Sequence, residues 1–268
     1  MNDVRMVIAG AAGRMGRSLV HAVLEDNECS LAGALEAPGH PHCGADAAIV
    51  AGAKAAGVII SHDARAVLAE ANALVDFTVP AVSVGLAALS AEMGIVHIMG
   101  TTGFSSEDEG QISAAAGKTV IVKSGNMSMG VTLLAALVRQ AARALPDFDV
   151  EILEMHHRMK VDAPSGTALL LGRAAAEGRG EALEAETLRA GRQRQKGSVG
   201  FASLRGGTVV GEHHVILAGA QERIILGHVA EDRTIFARGA IAAAKWGQSR
   251  EPGLYGMADV LGIAEERC

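Results

Sequence analysis

The sequence predicts an α/β fold, in which a Rossmann-like, doubly wound parallel sheet precedes an α+β domain with an open mixed or antiparallel sheet. In the first half, short apolar runs typical of buried parallel strands alternate with helical patterns. Beyond residue 200, strand-like runs succeed one another through glycine turns without helices between them. This change of pattern predicts two domains with a boundary near residues 126–130.

Composition and charge exclude several classes of protein. The chain of 268 residues has a formal net charge of −6 and no basic block, so nucleic acid is not expected as a partner. Its longest apolar runs, such as Val131 to Val138, are much shorter than a membrane span, so no membrane partner is expected. Three cysteines without metal-ligand spacing and the lack of a recognisable signal peptide predict reduced thiols and a cytoplasmic protein.

The first predicted strand, Arg5 to Ala9, runs directly into a glycine-rich turn. Glycines stand at positions 10, 13 and 16, and a helical pattern follows. Strand, glycine turn and helix form the context that a dinucleotide-binding fingerprint requires. Gly10 permits the tight turn, Gly13 lets backbone N–H groups approach a pyrophosphate, and Gly16 lets the helix pack closely on the strand. Taken alone, such a triplet is equally consistent with an ordinary tight turn.

An acidic residue follows the second predicted strand, Leu31 to Leu35. This residue, Glu36, comes about 20 residues after Gly16, where a carboxylate can accept both ribose hydroxyls of the adenosine half of a dinucleotide. Arg14 can add a contact to phosphate or lie over the adenine. Glu36 is also consistent with the start of a polar loop, but strand, glycines, helix and acid in series favour a dinucleotide site.

The alternation continues through the rest of the first domain. Residues 37–57 predict an irregular loop, and the strands and helices that follow are predicted at 58–61, 64–71, 73–77, 80–93, 95–99 and 119–123. Ligands of such sheets bind at the carboxyl ends of the strands. Two of these ends carry small residues suited to a nicotinamide or its ribose, although ordinary turns have the same composition. They are Gly100, Thr101, Thr102, Ser124, Gly125, Asn126 and Met127.

A long amphipathic helix from Met129 towards Leu145 precedes a strand from Val150 to Met155. Four cation-capable side chains follow that strand within five positions. They are His156, His157, Arg158 and Lys160. In an acidic protein, such a local basic cluster concentrates small anions.

The start of the next predicted helix complements this cluster. Pro164 disfavours helix at the residue before it, and Ser165 is a good N-cap for the Ala/Leu-rich run that follows. The backbone N–H groups of Gly166 and Thr167 lie at the positive end of the helix dipole, where anions bind. Cations and proton donors at a strand end, facing a helix end that accepts carboxylates, predict a site for a small, multiply anionic substrate.

Other interpretations of the cluster remain open. A His-His pair at a strand end is often structural, and at most one of His156 and His157 faces a given site, because adjacent strand residues point to opposite faces. Glu154 could join both histidines as a metal ligand, but no Cys or third His lies at ligand spacing, so no metal is expected. Asp162 is expected to pair with Lys160 or with the neighbouring arginine.

The remaining residues predict a charged, mobile loop from Gly178 to Gly197 and an antiparallel meander of three strands. The meander strands are predicted at 200–205, 208–217 and 223–229, and a helix follows from Thr234 to Trp246. His213 and His214 in the meander belong either to the substrate site or to a subunit contact.

Three motifs together resemble the bacterial dihydrodipicolinate reductase family, now called 4-hydroxy-tetrahydrodipicolinate reductases. They are the glycine turn at 10–16, GTTGF at 100–104 and EMHHRMKVDAPSGTA at 154–168, with GEH at 211–213 also in place. The resemblance covers nearly the whole chain in the right order, and the third motif is the most specific.

The resemblance implies a dinucleotide-binding domain at 1–127, completed by 235–268, and a substrate-binding and tetramerisation domain at 128–234. The family uses NADH or NADPH to reduce the dehydrated product of dihydrodipicolinate synthase, a small dicarboxylate. The product, tetrahydrodipicolinate, serves diaminopimelate and lysine synthesis. Two alternatives remain at this point: another nicotinamide oxidoreductase, such as an amino-acid dehydrogenase, or a non-catalytic nucleotide sensor.

Roles for individual residues are implied by position. His156 matches the catalytic histidine and Lys160 the proton-donating lysine, and the substrate contacts are His157, Ser165, Gly166 and Thr167. The implied cofactor contacts are Gly10, Ala11, Ala12, Gly13, Arg14, Met15, Glu36, Gly100, Thr101, Thr102, Ser124, Gly125, Asn126 and Met127.

The sequence departs from some relatives after Glu36. Those relatives carry a basic residue there, which can meet the 2′-phosphate of NADPH, whereas Ala37 and Pro38 follow here. A carboxylate repels that phosphate, so NADH is the expected cofactor.

Overall fold

Two structural units share the chain in the computed structural model, which describes residues 3–187, 191 and 193–263. Unit 1 comprises Met1–Ser128 and Thr234–Cys268, and unit 2 comprises Met129–Arg233. The elements in chain order are β1 (Val4–Ala9), α1 (Arg14–Leu24), β2 (Cys29–Leu35), α2 (Ala47–Ala51), β3 (Ile60–Ser61), α3 (Ala64–Leu68), β4 (Ala73–Asp76), α4 (Pro80–Met93), β5 (Val96–Met99), α5 (Ser106–Ala116), β6 (Val120–Lys123), α6 (Met129–Ala144), β7 (Asp149–His156), α7 (Gly166–Arg179), β8 (Ala185–Glu186), β9 (Val199–Arg205), β10 (Gly211–Ala218), β11 (Arg223–Ala230), α8 (Thr234–Gly247), β12 (Gly253–Tyr255) and α9 (Met257–Val260).

The described strands of unit 1 form one parallel sheet in the order β12-β6-β5-β4-β1-β2-β3. The direction of winding reverses between β1 and β4, and ligands of doubly wound sheets bind at the carboxyl ends of the strands beside such a reversal. Helix α8 packs on this sheet, and β12 pairs with β6. The predicted doubly wound parallel sheet is confirmed.

Local sequence explains why these segments adopt their conformations. Met6, Val7 and Ile8 of β1 are fully buried, as expected of a parallel strand covered on both faces. Helix α4 begins with Pro80 at its first position, where the missing N–H would have no partner within the helix. Both features are visible in the sequence.

Two helices of unit 1 do not follow from apolar periodicity. Helix α2 lies inside the predicted loop at 37–57, so that prediction is wrong in part; Asp46 caps it and accepts N–H groups of Ala48 at 2.9 Å and Gly57 at 2.7 Å. Helix α5 begins with a capping box between Ser105 and Asp108. Both are short surface helices with few buried residues, so their cap residues are the stronger sequence signal.

Unit 2 contains a five-stranded mixed sheet in the order β11-β10-β7-β9-β8. Strand β7 is central, antiparallel to β10 and parallel to β9. The predicted meander is therefore wrong in one respect, because β9 pairs with β7 instead of β10. Of the three predicted meander strands, β10 and β11 form an antiparallel hairpin. Neighbours in sequence are neighbours in a sheet only about two-thirds of the time, and here β7 occupies the position between them.

Helices α6 and α7 cover one face of this sheet. The core between them includes Leu134, Val138, Leu171, Phe201 and Val215. On the other face, the outward-facing residues of β7, β9, β10 and β11 remain partly or fully exposed. The apolar ones are Leu153, Met155, Leu204, Ile216, Ile225 and Val229. We call these residues the open sheet face.

The segment predicted as a mobile loop, 178–197, contains the end of α7 and the short strand β8. Arg194 ties it to β7 through Asp149 at 2.8 Å and Glu151 at 3.0 Å. Residues 188–190 and 192 lie outside the described residues. Within the described parts of the chain, no helix combines the length and the apolar character that crossing a membrane requires.

Candidate active site

The glycine turn of unit 1 has the geometry that its sequence predicts. Gly10 has a φ of +67°, a left-handed conformation that favours glycine. A Cβ on Gly16 would lie 2.0 Å from the carbonyl oxygen of Gly10, so helix α1 can approach this turn only because residue 16 has no side chain. Helix α1 begins at Arg14, directly after the turn.

Three of the turn's N–H groups are used within the protein, and that of Ala11 donates to the carbonyl of Leu35 at 3.1 Å. The N–H of Ala12 donates to Oε1 of Glu36 at 2.9 Å, and that of Gly13 donates to the carbonyl of Gly10 at 3.0 Å. The first-turn N–H groups of α1, from Arg14 to Gly16, have no carbonyl acceptors within the helix. They lie at the positive end of the helix dipole, so this part of the predicted loop is the best placed to meet a phosphate.

A cavity of about 340 Å³ opens beside Glu36, at the carboxyl ends of β1, β2 and β4. Gly10, Glu36, His62 and Thr78 line it, together with apolar side chains such as Val82. Its place in the sheet is the one where doubly wound folds bind the adenosine half of a dinucleotide. His62 and Thr78 were not identified from the sequence; the signal for each is its position just after a strand, β3 for His62 and β4 for Thr78.

The two loops predicted to meet the nicotinamide half come together beyond β5 and β6. Ser124 donates its N–H to the carbonyl of Met99 at 3.1 Å, and a Cβ on Gly125 would lie 3.4 Å from the Thr102 methyl group. Thr101 is buried, and its hydroxyl accepts a hydrogen bond from Ser83 at 2.8 Å. The structure therefore places 100–102 and 124–126 side by side.

Met127 differs from the other predicted cofactor residues. Its side chain is 1% exposed and packs in the core of unit 1. The Met127 side chain is therefore not placed to contact a ligand. Asn126 organises the same turn, because its Oδ1 accepts the N–H of Ser128 at 2.8 Å.

In unit 2, His156 closes β7 and Ser165 opens α7, and a buried carboxylate connects them. Oε2 of Glu154 lies 2.6 Å from Nδ1 of His156, and Oε1 accepts the N–H of Ser165 at 3.2 Å. Arg205 donates one N–H to each oxygen, both at 2.8 Å. Glu154 is 0% exposed, so these donors take the place of water around its carboxylate.

The charges in this cluster follow from its contacts. Burial by itself raises the pKa of Glu154, but hydrogen bonds from Arg205, Ser203 and His156 outweigh it and lower the pKa to about 2. Burial lowers the pKa of His156, and the hydrogen bond to Glu154 only partly offsets this. Glu154 is therefore an anion at neutral pH, and His156 is neutral.

His213 lies beside His156 on the same face of the sheet, with ring centroids 5.1 Å apart at a steep angle. Burial, followed by the neighbouring His156, lowers the pKa of His213 to about 4. Its Nε2 is 3.1 Å from the Ser165 hydroxyl. This places His213 beside Ser165 and His156, whereas its neighbour His214 points to the opposite, open sheet face.

Ser165 caps α7 as predicted, since its hydroxyl accepts the N–H of Ala168 at 3.1 Å. Gly166 and Thr167 are the first two residues of the helix, at the positive end of its dipole. Lys160 lies in the connecting loop and pairs with both oxygens of Asp162 at 2.7 Å, as predicted.

His157 follows the strand end and does not share the buried position of His156. It is half-buried, and its carbonyl accepts the N–H of Lys160 at 3.1 Å. Among the described residues, no three His, Cys, Asp or Glu side chains are grouped as a metal site.

We expect the free energy of unfolding to decrease as the pH falls from about 6.5 towards 4. His156, His213 and His228 have lowered pKa values in the folded chain, chiefly through burial. The unfolded chain therefore binds more protons in this range, and acid favours unfolding. Urea denaturation at a series of pH values measures the effect. His213→Gln should reduce the slope, and a wild-type stability that is constant over this range would contradict the prediction.

The fold and the site define a class of protein, a nicotinamide-dependent oxidoreductase with a Rossmann domain. Unit 1 supplies the doubly wound sheet with its dinucleotide turn, and unit 2 sets a histidine and a lysine beside a helix start. Comparison with known proteins gives the family. The profile described as "Dihydrodipicolinate reductase, N-terminus" matches residues 4–127, and "Dihydrodipicolinate reductase, C-terminus" matches 130–261. The chain belongs to the dihydrodipicolinate reductase family, and the resemblance found in its sequence is confirmed.

Individual relatives agree with this assignment. The chain is 58% identical to the 4-hydroxy-tetrahydrodipicolinate reductase of Parvibaculum lavamentivorans, over 97% of this chain and 98% of that protein. It is 54% identical to the reductase of the same name from Afipia carboxidovorans, over 99% of this chain and 100% of that protein.

Solved structures share the fold. A dipicolinate-bound dihydrodipicolinate reductase from Paenisporosarcina sp. TG-14 aligns with a TM-score of 0.79 at 24% identity, over 96% of this chain and 99% of that one. An amine dehydrogenase from Mycobacterium smegmatis aligns with a TM-score of 0.61 at 15% identity, over 100% of this chain and 98% of that one. At these identities the likeness concerns the fold alone.

Proposed function

We propose that this chain reduces 4-hydroxy-tetrahydrodipicolinate, through its dehydrated form, to tetrahydrodipicolinate in diaminopimelate and lysine biosynthesis. The observation that carries the proposal is the identity above 50%, over nearly the whole chain, to reductases of that name. Among the functions that the sequence leaves open, an amino-acid dehydrogenase and a nucleotide sensor have no comparable support. We place the reaction in the cytoplasm, where the free thiols of Cys29 and Cys43 remain reduced.

The residues of unit 1 fit a nicotinamide dinucleotide. The first turn of α1 would hold the pyrophosphate, and Glu36 beside its cavity would accept hydroxyls of the adenosine ribose. The loops at 100–102 and 124–127 would bind the nicotinamide half. When bound, the reduced nicotinamide supplies a hydride.

The residues of unit 2 would bind the substrate and supply the proton. The start of α7, with Gly166 and Thr167, would take one substrate carboxylate, helped by the helix dipole. His157 would contact charge elsewhere on the ring. Hydride addition to an electron-poor ring carbon leaves a negative charge, and one proton added to it completes the saturation of one double bond. We assign that proton to the Lys160 ammonium group, since His156 is neutral near pH 7.

Oxidation of NADH coupled to dihydrodipicolinate synthase tests this function. The purified chain, the synthase and its substrates should together consume NADH, and leaving out the synthase should abolish the signal. Linear amino or keto acids should not replace the synthase product. NADH consumption that does not depend on the synthase would contradict the proposal.

We expect kcat/KM to be at least about 10-fold higher with NADH than with NADPH, which corresponds to ~1.4 kcal/mol. The N–H of Ala12 holds the Glu36 carboxylate at the cavity, so it cannot easily turn away from a 2′-phosphate of like charge. Steady-state kinetics with both cofactors measures the ratio. Glu36→Gln should reduce it, whereas Glu107→Gln, which changes an exposed acid outside the cavity, should not. A clear preference for NADPH would contradict the argument.

We further propose that the chain forms a homotetramer through the open sheet face of unit 2. Leu204, Ile225 and Val229 on that face are 48%, 55% and 53% exposed, and apolar patches of this kind commonly mark protein interfaces. A second copy of the same sheet has matching apolar character. Sedimentation of the intact chain measures the oligomeric state, and a monomer at micromolar concentration would exclude this interface.

A further inference from the structure

Every hydrogen-bonding direction of the Glu154 carboxylate is used by a group of unit 2. Arg205 binds it through two parallel N–H donors, His156 contacts one oxygen, and the N–H of Ser165 contacts the other. Arg205 also donates to the carbonyl of Asp162 at 2.6 Å, which fixes the loop that carries Lys160. Glu154 thus lies at the centre of the residues that the proposed function assigns to catalysis and substrate binding.

This arrangement determines the tautomer of His156. An ionised carboxylate can only accept hydrogen bonds, so the atom facing it, Nδ1, must carry the proton. The neutral imidazole then has its lone pair on Nε2. A Cβ at Gly211 would lie 3.1 Å from Nε2, so a side chain at residue 211 would crowd that nitrogen. The ring of His213 packs edge-on against the His156 ring, with the two ring centroids 5.1 Å apart.

We propose that Glu154 is a positioning residue of the reaction. Its buried carboxylate holds His156 in the tautomer whose Nε2 is the reactive nitrogen. Through the N–H of Ser165, the same carboxylate fixes the position of the start of α7 relative to that imidazole. Arg205 acts through Glu154 by keeping the carboxylate ionised and in place. This inference rests on the proposed function and adds two positioning residues to it.

The tautomer can be measured on the intact wild-type chain without any variant. In ¹⁵N spectra of the histidine rings near pH 7.5, His156 should show a protonated Nδ1 and an unprotonated Nε2, with its signals assigned by their loss in His156→Gln. The opposite tautomer would overturn the proposal. This measurement does not depend on turnover, so a chain inactive in the coupled assay but with the expected tautomer would refute only the proposed function.

Glu154→Gln tests the consequence for catalysis. The amide has nearly the same shape, but its NH2 group cannot accept a hydrogen bond, so we expect kcat to fall at least about 100-fold. Affinity for dipicolinate, used as a planar dicarboxylate probe, should fall roughly 10-fold, because the N–H of Ser165 loses a charged acceptor. Affinity for NADH should not change, since the cofactor contacts lie in unit 1.

The pH profile separates positioning from a purely structural role. The charged groups beside His156 are Glu154, Lys160 and Arg205, with His213 against its ring, and Glu154 is the one that favours the imidazolium. Without the charge of Glu154, the acidic limb of the pH profile of kcat should move to lower pH by about one unit. An unmoved limb would mean that Glu154 acts on stability alone and would overturn the proposal.

Glu151→Gln is the matched control. Glu151 lies on the opposite face of the same strand and also pairs with an arginine, Arg194, at 3.0 Å. Its replacement should leave kcat and the pH profile within about twofold of wild type. If Glu154→Gln does not fold, Arg205→Lys keeps the positive charge but removes the bidentate contact, and should lower kcat at least about 10-fold. Wild-type kinetics in Arg205→Lys would contradict the positioning role of Glu154 and Arg205.

Discussion

Lys160→Ala should lower kcat by at least about 100-fold while leaving NADH affinity close to wild type. A general acid of this kind contributes about 10²–10⁴-fold to a rate. The loop that carries Lys160 is fixed on both sides: Arg158 donates its N–H to the carbonyl of Gly207 at 3.2 Å, and Arg205 binds the carbonyl of Asp162. The backbone that carries Lys160 is therefore held on both sides.

Single-turnover and steady-state kinetics measure this effect, with NADH binding followed by fluorescence. Lys196→Ala, which removes an exposed lysine of the same unit, serves as the control and should leave kcat unchanged.

His156→Ala should also lower kcat at least about 100-fold, because the neutral imidazole is the other group with proton-transfer chemistry at this site. Near-normal turnover in both variants would refute the assignment of the active site.

Gly16→Ala should abolish most NADH binding and destabilise unit 1 by about 3 kcal/mol, the upper part of the range for overpacking. The new Cβ would lie 2.0 Å from the carbonyl oxygen of Gly10 and 2.7 Å from the Cα of Ala11. Both contacts are to backbone, so α1 or the glycine turn must move. Either movement displaces the N–H groups that are proposed to bind the pyrophosphate.

The matched control is Gly110→Ala in α5, where a Cβ would meet no atom within 4 Å. That change should stabilise the chain by about 0.5–1 kcal/mol, because alanine favours helix. Urea denaturation and NADH titration of both variants measure the contrast. A Gly16→Ala protein with wild-type stability and NADH affinity would show that the close packing of helix on turn is not required.

Features that depend on residues close together in the chain were predictable. The Ser165 cap, the pairing of Lys160 with Asp162, and the glycine turn between β1 and α1 all follow from residues a few positions apart. Runs in which apolar residues alternate with polar ones, or follow one another without a break, likewise predicted most strands. Where apolar periodicity is weak, as in α2 and α5, the sequence pattern missed the helix.

Two residues of the candidate site could not be placed from the sequence, because strand pairing brings them in from far along the chain; the sequence allows two roles for His213 and does not identify Arg205. Arg205 is 51 residues from Glu154, and it reaches that carboxylate because β9 pairs with β7, where an adjacent meander predicted otherwise. His213 faces the site because it is paired directly with Glu154 across β10 and β7. A shift of register by one residue would turn either side chain to the opposite face.

The sequence by itself determined the class of fold, the glycine turn between β1 and α1, the capped start of α7 and the family, because each is encoded in short-range patterns or in a contiguous motif. The tertiary structure alone decided how the buried carboxylate of Glu154 is satisfied, which nitrogen of His156 faces that carboxylate, and that the N–H of Ala12 binds Glu36. Those outcomes depend on long-range strand register and on the removal of charges from water, neither of which has a local signature in the chain.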